Sequence, residues 1–264
     1  MSIIQAIILG IVQGASEFIP ISSSGHLVLV REIFHWEDPG VIFDIFLHLG
    51  TLIAVLIYFR KDWLKIISNL FSKGGDRRMF IYLVIAVIPV FIIGPLVNNY
   101  IEKTFRDVLW VSAFLILTGF AFLCAEKYHS YKIEKKTLEK MTWRDALIIG
   151  LAQTLALMPG VSRSGATIAA GMFRSLKRTE ATRFSFLLAT LAITGAGVFG
   201  SLQTIGNQYI NGYWIEIIIG TTVSAIVGYL SIKYLMKFLA SHRLYIFAIY
   251  RFGLGIIFII IQWL

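Results

Sequence analysis

Long apolar stretches alternate with short polar ones along this chain. Six of them run unbroken: residues 41–59, 78–97, 108–126, 184–201, 214–232 and 244–263. Each has about 18 residues or more, enough to cross a hydrocarbon core of roughly 30 Å as a helix. Two further apolar stretches, 2–35 and 145–173, are interrupted midway by Pro, Gly and Ser. Broken backbone at membrane depth is tolerated only where protein or water satisfies the freed N–H and C=O groups. Each broken stretch therefore reads as a re-entrant helical hairpin. Short segments of alternating polarity, the mark of a membrane β-barrel, are not seen. The expected fold is an all-α polytopic membrane protein with six transmembrane helices and two re-entrant hairpins.

The pattern also repeats. A shift of 140 residues lays Ala6 on Ala146, Gly10 on Gly150 and Gln13 on Gln153, without gaps. Ser22, Ser24 and Gly25 fall on Ser162, Ser164 and Gly165, and Phe46, Leu47 and Ile53 on Phe186, Leu187 and Ile193. Each half is one hairpin plus three spans: about 1–126, then a loop at 127–144, then about 145–264, within a single integral membrane domain. An odd number of crossings inverts the second half, an architecture typical of secondary transporters.

Composition agrees with the pattern. Hydrophobic residues make up 57% of the 264 and charged residues 15%, against about 25% charged in soluble domains. The net charge of +9 would suggest nucleic acid in a soluble protein, but here it follows the loops, and no nucleic-acid partner is expected. Loops 60–77 (with Arg78), 127–144, 174–183 and 233–243 hold 19 Lys and Arg; loops 31–40, 98–107 and 202–213 hold 3. The positive-inside rule puts the first group in the cytoplasm. The expectation is a multi-pass protein of a bacterial cytoplasmic membrane, with both termini outside and the first hairpin entering from the outside. The N-terminus has no basic region or cleavage site of a removable signal peptide. The single cysteine, Cys124, reads as a small core hydrophobe. Trp36, Trp63, Trp110, Trp143, Trp214 and Trp263 lie near segment ends, as in an aromatic belt.

The polar residues inside the two hairpins are the candidate chemistry, because ionisable groups in a membrane are expensive. In the first, Gln13 and Glu17 are four apart and share a helix face. Pro20 ends that helix, and Ser22, Ser23, Ser24, Gly25 and His26 open the next, where free N–H groups favour an anion. The second, "PGVSRSGAT" at 159–167, brings Ser162, Arg163, Ser164, Gly165 and Thr167. Arginine and helix N-termini bind phosphate oxygens, a hydroxyl or imidazole can attack phosphorus, and Glu17 with Gln13 can hold a divalent cation. The bland alternative is a Glu17–Arg163 pair that only fixes packing. Between the copies, Glu17 faces Leu157, Ser23 faces Arg163 and His26 faces Ala166; these departures separate chemistry from shared scaffold. Elsewhere, Asp44 and His48 pair with each other or line the pocket. Arg251, inside the last span, snorkels or pairs in the bundle. The charges of 127–144 read as a solvated loop.

The stretches "QGASEFIPISSSGHL" (13–27) and "PGVSRSGATI" (159–168) closely resemble the signature motifs of the undecaprenyl-diphosphate phosphatase (BacA or UppP) family, and the resemblance extends over essentially the whole chain. It implies hydrolysis of the C55 isoprenoid diphosphate to the monophosphate carrier lipid of peptidoglycan synthesis, a link to bacitracin resistance, and a divalent metal, Mg2+ or Ca2+. It implies functional roles for Gln13 and Glu17, for Ser22, Ser23 and His26, and for Ser162, Arg163, Ser164 and Thr167. The family often has Glu where this chain has Gln13, which leaves Glu17 the essential carboxylate.

The expected mechanism has Ser23 attack the terminal phosphorus with His26 or Glu17 as base, histidine being mildly favoured. Attack by His26 or by water is the rival. Arg163 and the N–H groups after Ser162 and Ser23 hold the phosphates, and Glu17 and Gln13 hold the metal. The partners are the polyprenyl diphosphate and membrane lipid, with room for a homodimer. A transporter or lipid flippase on the same inverted repeat is the alternative function.

Overall fold

The computed structural model describes residues 1–105, 107–204 and 213–261, and they form eleven α-helices with no β-strand among them. In chain order these are α1 (Ile3–Phe18), α2 (Ser23–Ile33), α3 (Val41–Tyr58), α4 (Arg60–Phe71), α5 (Arg78–Thr104), α6 (Val108–Tyr131), α7 (Trp143–Thr154), α8 (Arg163–Phe173), α9 (Arg178–Thr204), α10 (Trp214–Ser241) and α11 (Tyr245–Ile261). Five of them, α3, α5, α6, α9 and α10, are long and apolar enough to cross a membrane; α1 and α11 are shorter and apolar. Arg106, Trp263, most of the 202–213 loop and the end of the last expected span lie outside the described residues.

Five of the six expected spans coincide with helices of crossing length, and α5, α6, α9 and α10 continue past the expected bounds, because helical hydrogen bonding runs on beyond the apolar core. α5 carries Pro89 and Pro95 inside it, where each lacks the N–H that a regular helical turn would use. The two broken stretches fold as the helix pairs α1–α2 and α7–α8. The chain breaks at Ile19–Ser22 in the first, and at a 3-10 turn (Leu155–Leu157) followed by Met158–Ser162 in the second.

The halves interlock. α1 packs chiefly on α10 of the other half, and its repeat mate α7 packs on α5; α3 lies on α10 and α9 on α5, while α3 meets α9 and α6 meets α11. These pairings correspond when the two halves are exchanged, although α8 also packs on α9 and α6. Small residues permit the closest crossing. Gly10 and Gly14 on α1 face Gly220, Ser224 and Gly228 on α10. A Cβ at Gly14 would stand 2.7 Å from the Ser224 carbonyl oxygen and 2.8 Å from the Gly228 nitrogen. This is close small-residue packing of membrane helices, and it lodges the polar end of α1 inside the bundle.

Polar residues are buried within an otherwise apolar core, while many large apolar side chains face outward. Ile92, Leu96, Leu117, Ile218 and Ile249 face outward, while Gln13, Glu17, Ser164, Thr167, Ser224 and Arg251 are buried. Cys124 is exposed on α6, on the face away from buried Phe122 and Ala125, so it is not a core residue. The 127–144 segment is also not simply solvated. α6 continues into it, Leu138 and Met141 are buried, and Lys136 exchanges backbone hydrogen bonds with Ser175 and Lys177. Buried Asp145 joins Lys136 at 3.3 Å and Arg174 at 2.7 Å, and buried Glu126 receives both arms of Arg178 at 2.8 Å. Charges at this end serve to tie loops to helix ends. α4, an unexpected helix in the 60–77 loop, exposes Leu64, Ile67 and Phe71 beside Arg60, Lys61 and Lys65, the arrangement of helices that lie in a membrane interface.

Candidate active site

α1 delivers Gln13 and Glu17 one turn apart, both buried. Gln13 Nε2 donates to Glu17 Oε2 at 3.1 Å. Pro20 follows, and Ser22 takes a φ of +77°, a region rarely used by non-glycine residues and often found at functional sites. That turn starts α2 at Ser23, whose hydroxyl swings back to donate to Glu17 Oε2 at 2.7 Å. The other carboxylate oxygen, Oε1, accepts from Arg163 Nη2 at 3.1 Å. Arg163 opens α8 and also donates from Nη1 to the Ser185 carbonyl at 3.2 Å. Thus the first residues of two helices from opposite halves meet on one buried carboxylate.

From Glu17 and Arg163 a cavity of about 690 Å3 extends between α3, α5 and α9, its far wall formed by Val41, Ile45, Pro95, Phe199 and Leu202. Its polar residues are few: Glu17, Arg163 and Gln153 at one end.

The other expected site residues fall in three places. Ser22 is buried and Ser24 exposed. Gly25 lies buried in the first turn of α2. Ser162 caps α8 by accepting from Gly165 N–H at 3.1 Å and sits 3.0 Å from the Ser164 hydroxyl. Thr167 bonds the Ser185 hydroxyl at 2.6 Å. Ser164 and Thr167 are fully buried. Their hydroxyls are engaged within the protein, so these residues hold Arg163 in place and do not face the cavity. Gly165 is required by packing, since a Cβ there would come 2.5 Å from the Phe122 ring.

His26 departs most from expectation. Its Nδ1 is 2.7 Å from the Ser22 carbonyl and its Nε2 2.7 Å from the Tyr250 hydroxyl. A carbonyl only accepts, so Nδ1 carries the proton and Nε2 of the neutral ring accepts from Tyr250. Both nitrogens are engaged, and the group that meets the Ser23 hydroxyl is Glu17. His26, mildly favoured as the base, thus makes no contact with the Ser23 hydroxyl in this structure, whereas Glu17, the other expected base, does.

For the other polar residues the structure selects between the expected alternatives. Asp44 pairs with Arg31, not with His48. His48 joins the site instead, with Nδ1 2.8 Å from Gln13 Nε2 and 3.4 Å from Glu17 Oε2. Of its two expected readings, Arg251 takes the one in which it pairs within the bundle: it is completely buried and does not snorkel. It donates to the Pro20 carbonyl at 3.1 Å, the Gly160 carbonyl at 2.7 Å and the Leu115 carbonyl at 3.3 Å, and to the Thr118 hydroxyl. One guanidinium thereby satisfies carbonyls freed by both hairpin breaks. Tyr250, its neighbour in sequence, was not expected at the site. The signal was faint: a tyrosine and an arginine side by side within an apolar span.

The family model described as bacitracin resistance protein BacA matches residues 6–257. The chain belongs to the BacA family. It is 42% identical over 264 residues to a protein of Desulforudis audaxviator named undecaprenyl-diphosphatase, covering 99% of this chain and 98% of that one. A protein of the same name from Chloroherpeton thalassium is 43% identical over 269 residues, covering 97% and 95% of the two chains. Another from Corynebacterium glutamicum is 42% identical over 264 residues, covering 96% and 88%. As a member of the BacA family with several membrane-length helices, the chain is a polytopic integral membrane protein.

The divalent metal implied by the motifs has a partial fit. Gln13 Oε1 is buried without a hydrogen-bond partner beside the Glu17 carboxylate, a pair of hard oxygen donors. Among the described residues no group of three or more His, Cys, Asp or Glu could hold a metal. A cation at Gln13 and Glu17 would take its remaining ligands from substrate and water, as Mg2+ commonly does.

Proposed function

We infer that this chain is a membrane phosphatase that hydrolyses undecaprenyl diphosphate to undecaprenyl phosphate and phosphate, recycling the carrier lipid for cell-wall synthesis. Bacitracin resistance follows from its BacA membership. The observation that carries the site is the contact of the Ser23 hydroxyl with Glu17 Oε2 at 2.7 Å while Arg163 holds Oε1 at 3.1 Å. A hydroxyl against a carboxylate is a nucleophile with its base, and an arginine at the same carboxylate is positioned for phosphate oxygens.

In this reading Ser23 Oγ attacks the terminal phosphorus as its proton passes to Glu17. The bond from phosphorus to the bridging oxygen breaks and undecaprenyl phosphate leaves. Glu17 passes that proton to the departing lipid phosphate; water then gives a proton to Glu17 as it attacks the phosphoserine, and phosphate leaves as Ser23 Oγ takes the proton back. Arg163 and the unpaired N–H groups at the starts of α2 and α8 stabilise the charge that builds on the transferring phosphoryl group. A divalent cation held by Glu17 and Gln13 would supply further neutralisation of the diphosphate. His26, bound to Tyr250, supports the turn at Ser22.

The apolar cavity takes the first isoprene units of the tail. Ligand cavities of roughly 300–1,000 Å3 enclose small molecules, so a 55-carbon chain extends from this one into lipid, and preference for tail length is weak. The far wall consists of the ends of α3, α5 and α9 that the charge count puts outside, which supports an active site open to the extracytoplasmic face. The matching partners of the two halves support an inverted repeat of one hairpin and three spans.

The test is phosphate release from undecaprenyl diphosphate by the purified protein in detergent. The wild type should hydrolyse it, and Glu17→Ala and Arg163→Ala should each lose about a hundredfold or more. A wild type that moves the lipid across vesicles without releasing phosphate would establish the transporter instead.

A further inference from the structure

The repeat mates Gln13 and Gln153 have opposite surroundings. Gln13 is engaged by Glu17 and His48. The positions that correspond to those partners in the second half are Leu157 and Leu188. Gln153 is nevertheless retained there, in the last turn of α7, and is 2% exposed. Both its Nε2 and its Oε1 are buried without a hydrogen-bond partner. A buried amide with no partner is unfavourable, and native proteins rarely leave one unsatisfied. Gln153 lines the cavity together with Glu17 and Arg163, and Arg163 Nε is likewise buried and unpartnered.

Resting on the phosphatase reading above, we propose that Gln153 is a substrate-binding residue whose amide N–H donates to the lipid-proximal phosphate, the one retained in the product. The placement follows from the wall. Gln153 lines the cavity on the same short stretch of chain as the apolar Ala156 and Leu157 and together with Glu17 and Arg163, which puts it next to the tail as well as the head group. Ser23 and Arg163, on the Glu17 side, are left for the phosphoryl group that transfers. The Gln153 carbonyl oxygen is satisfied by water entering with the head group. A contact to the retained phosphate is present in substrate, transition state and product alike, and such uniform binding affects KM and product affinity while leaving kcat little changed.

The experiment compares wild type with Gln153→Leu, which keeps the volume and removes both polar atoms. Three quantities are read: kcat and KM with undecaprenyl diphosphate, the inhibition constant of undecaprenyl phosphate, and thermal stability in detergent. Gln153→Leu should raise KM and weaken product inhibition by about ten- to a hundredfold, the usual worth of a hydrogen bond to a charged group. Its kcat should stay within about twofold and its melting temperature should not fall, since two unsatisfied buried atoms are removed. Gln153→Asn, with a shorter reach, should fall between the two. Unchanged KM and product inhibition would overturn the proposal, as would a lower kcat and melting temperature with KM unchanged, the signature of a structural role. Glu17→Ala in the same assay keeps the two readings apart: if it retains full activity the site itself is misplaced, whereas its loss alongside an unaffected Gln153→Leu removes only the role of Gln153.

Discussion

Ser23 Oγ lies 2.7 Å from Glu17 Oε2, although a helix end, a proline and a left-handed serine separate the two residues. The break between α1 and α2 permits this contact. A continuous helix would put Ser23 on a different face from Glu17, since six residues is not a whole number of 3.6-residue turns.

If the pair acts as one unit, Ser23→Ala and Glu17→Gln should each lower kcat by about 10²–10⁴-fold. The double variant should be little worse than either, because residues acting together are strongly non-additive. Phosphate release from single and double variants measures this; independent, multiplying losses would argue against a shared proton transfer. A phosphorylated intermediate trapped by acid quench should carry its phosphate on serine; phosphohistidine would make His26 the nucleophile.

His26 and Tyr250 should behave differently from that pair. Tyr250→Phe removes the hydroxyl that bonds His26 Nε2 and should reduce activity by less than about tenfold, the scale of one neutral hydrogen bond. His26→Ala combined with Tyr250→Phe should equal His26→Ala alone. A loss for Tyr250→Phe as large as that for Glu17→Gln would place the tyrosine in the proton path.

Arg251 joins the two hairpin breaks through the Pro20 and Gly160 carbonyls. Replacing it by Met should destabilise the protein by about 3 kcal/mol or more, since several buried carbonyls lose their donor together. Lys should rescue poorly, because one ammonium cannot reproduce the planar fork. Thermal unfolding in detergent measures both; a melting temperature unchanged in Arg251→Met would show that the breaks are held by other contacts.

Gly14→Ala should cost about 1–3 kcal/mol by overpacking, since the new methyl meets the α10 backbone. Gly253, on α11, has nothing within 4 Å of its would-be Cβ, so Gly253→Ala should be neutral or slightly stabilising. The two variants compared by thermal unfolding test the close crossing of α1 and α10; equal effects would argue against it.

Sidedness is open to labelling. Ser24 is exposed next to Ser23, and the native Cys124 is replaced by Ser for background. An impermeant maleimide should label Ser24→Cys from the extracytoplasmic side of intact cells. Labelling only after the cytoplasmic face is opened would reverse the topology.

Much of this molecule is legible along the chain. Membrane thickness fixes helix length, so a one-dimensional hydropathy pattern located the spans. Proline, glycine and serine inside apolar stretches marked both breaks, because proline lacks the helical N–H donor and glycine and serine are weak helix formers. The 140-residue shift and the two motifs brought Glu17, Ser23 and Arg163 forward together. What the chain could not reveal is which atoms meet. Arg163 reaches Glu17 across 146 residues and Arg251 reaches Pro20 across 231, and those distances depend on how α1 crosses α10 and α6 crosses α11. Small-residue packing of helices sets these crossings in three dimensions. It turned His26 to Tyr250, brought His48 to Glu17, sent Asp44 to Arg31, and left Gln153 unpartnered where its repeat mate is bound. Local sequence thus determined where the apolar helices run and where they break; tertiary packing decided the neighbours of the polar atoms, because most of those neighbours lie on other helices, and those of Glu17, His26 and Arg251 include residues from the opposite half of the chain.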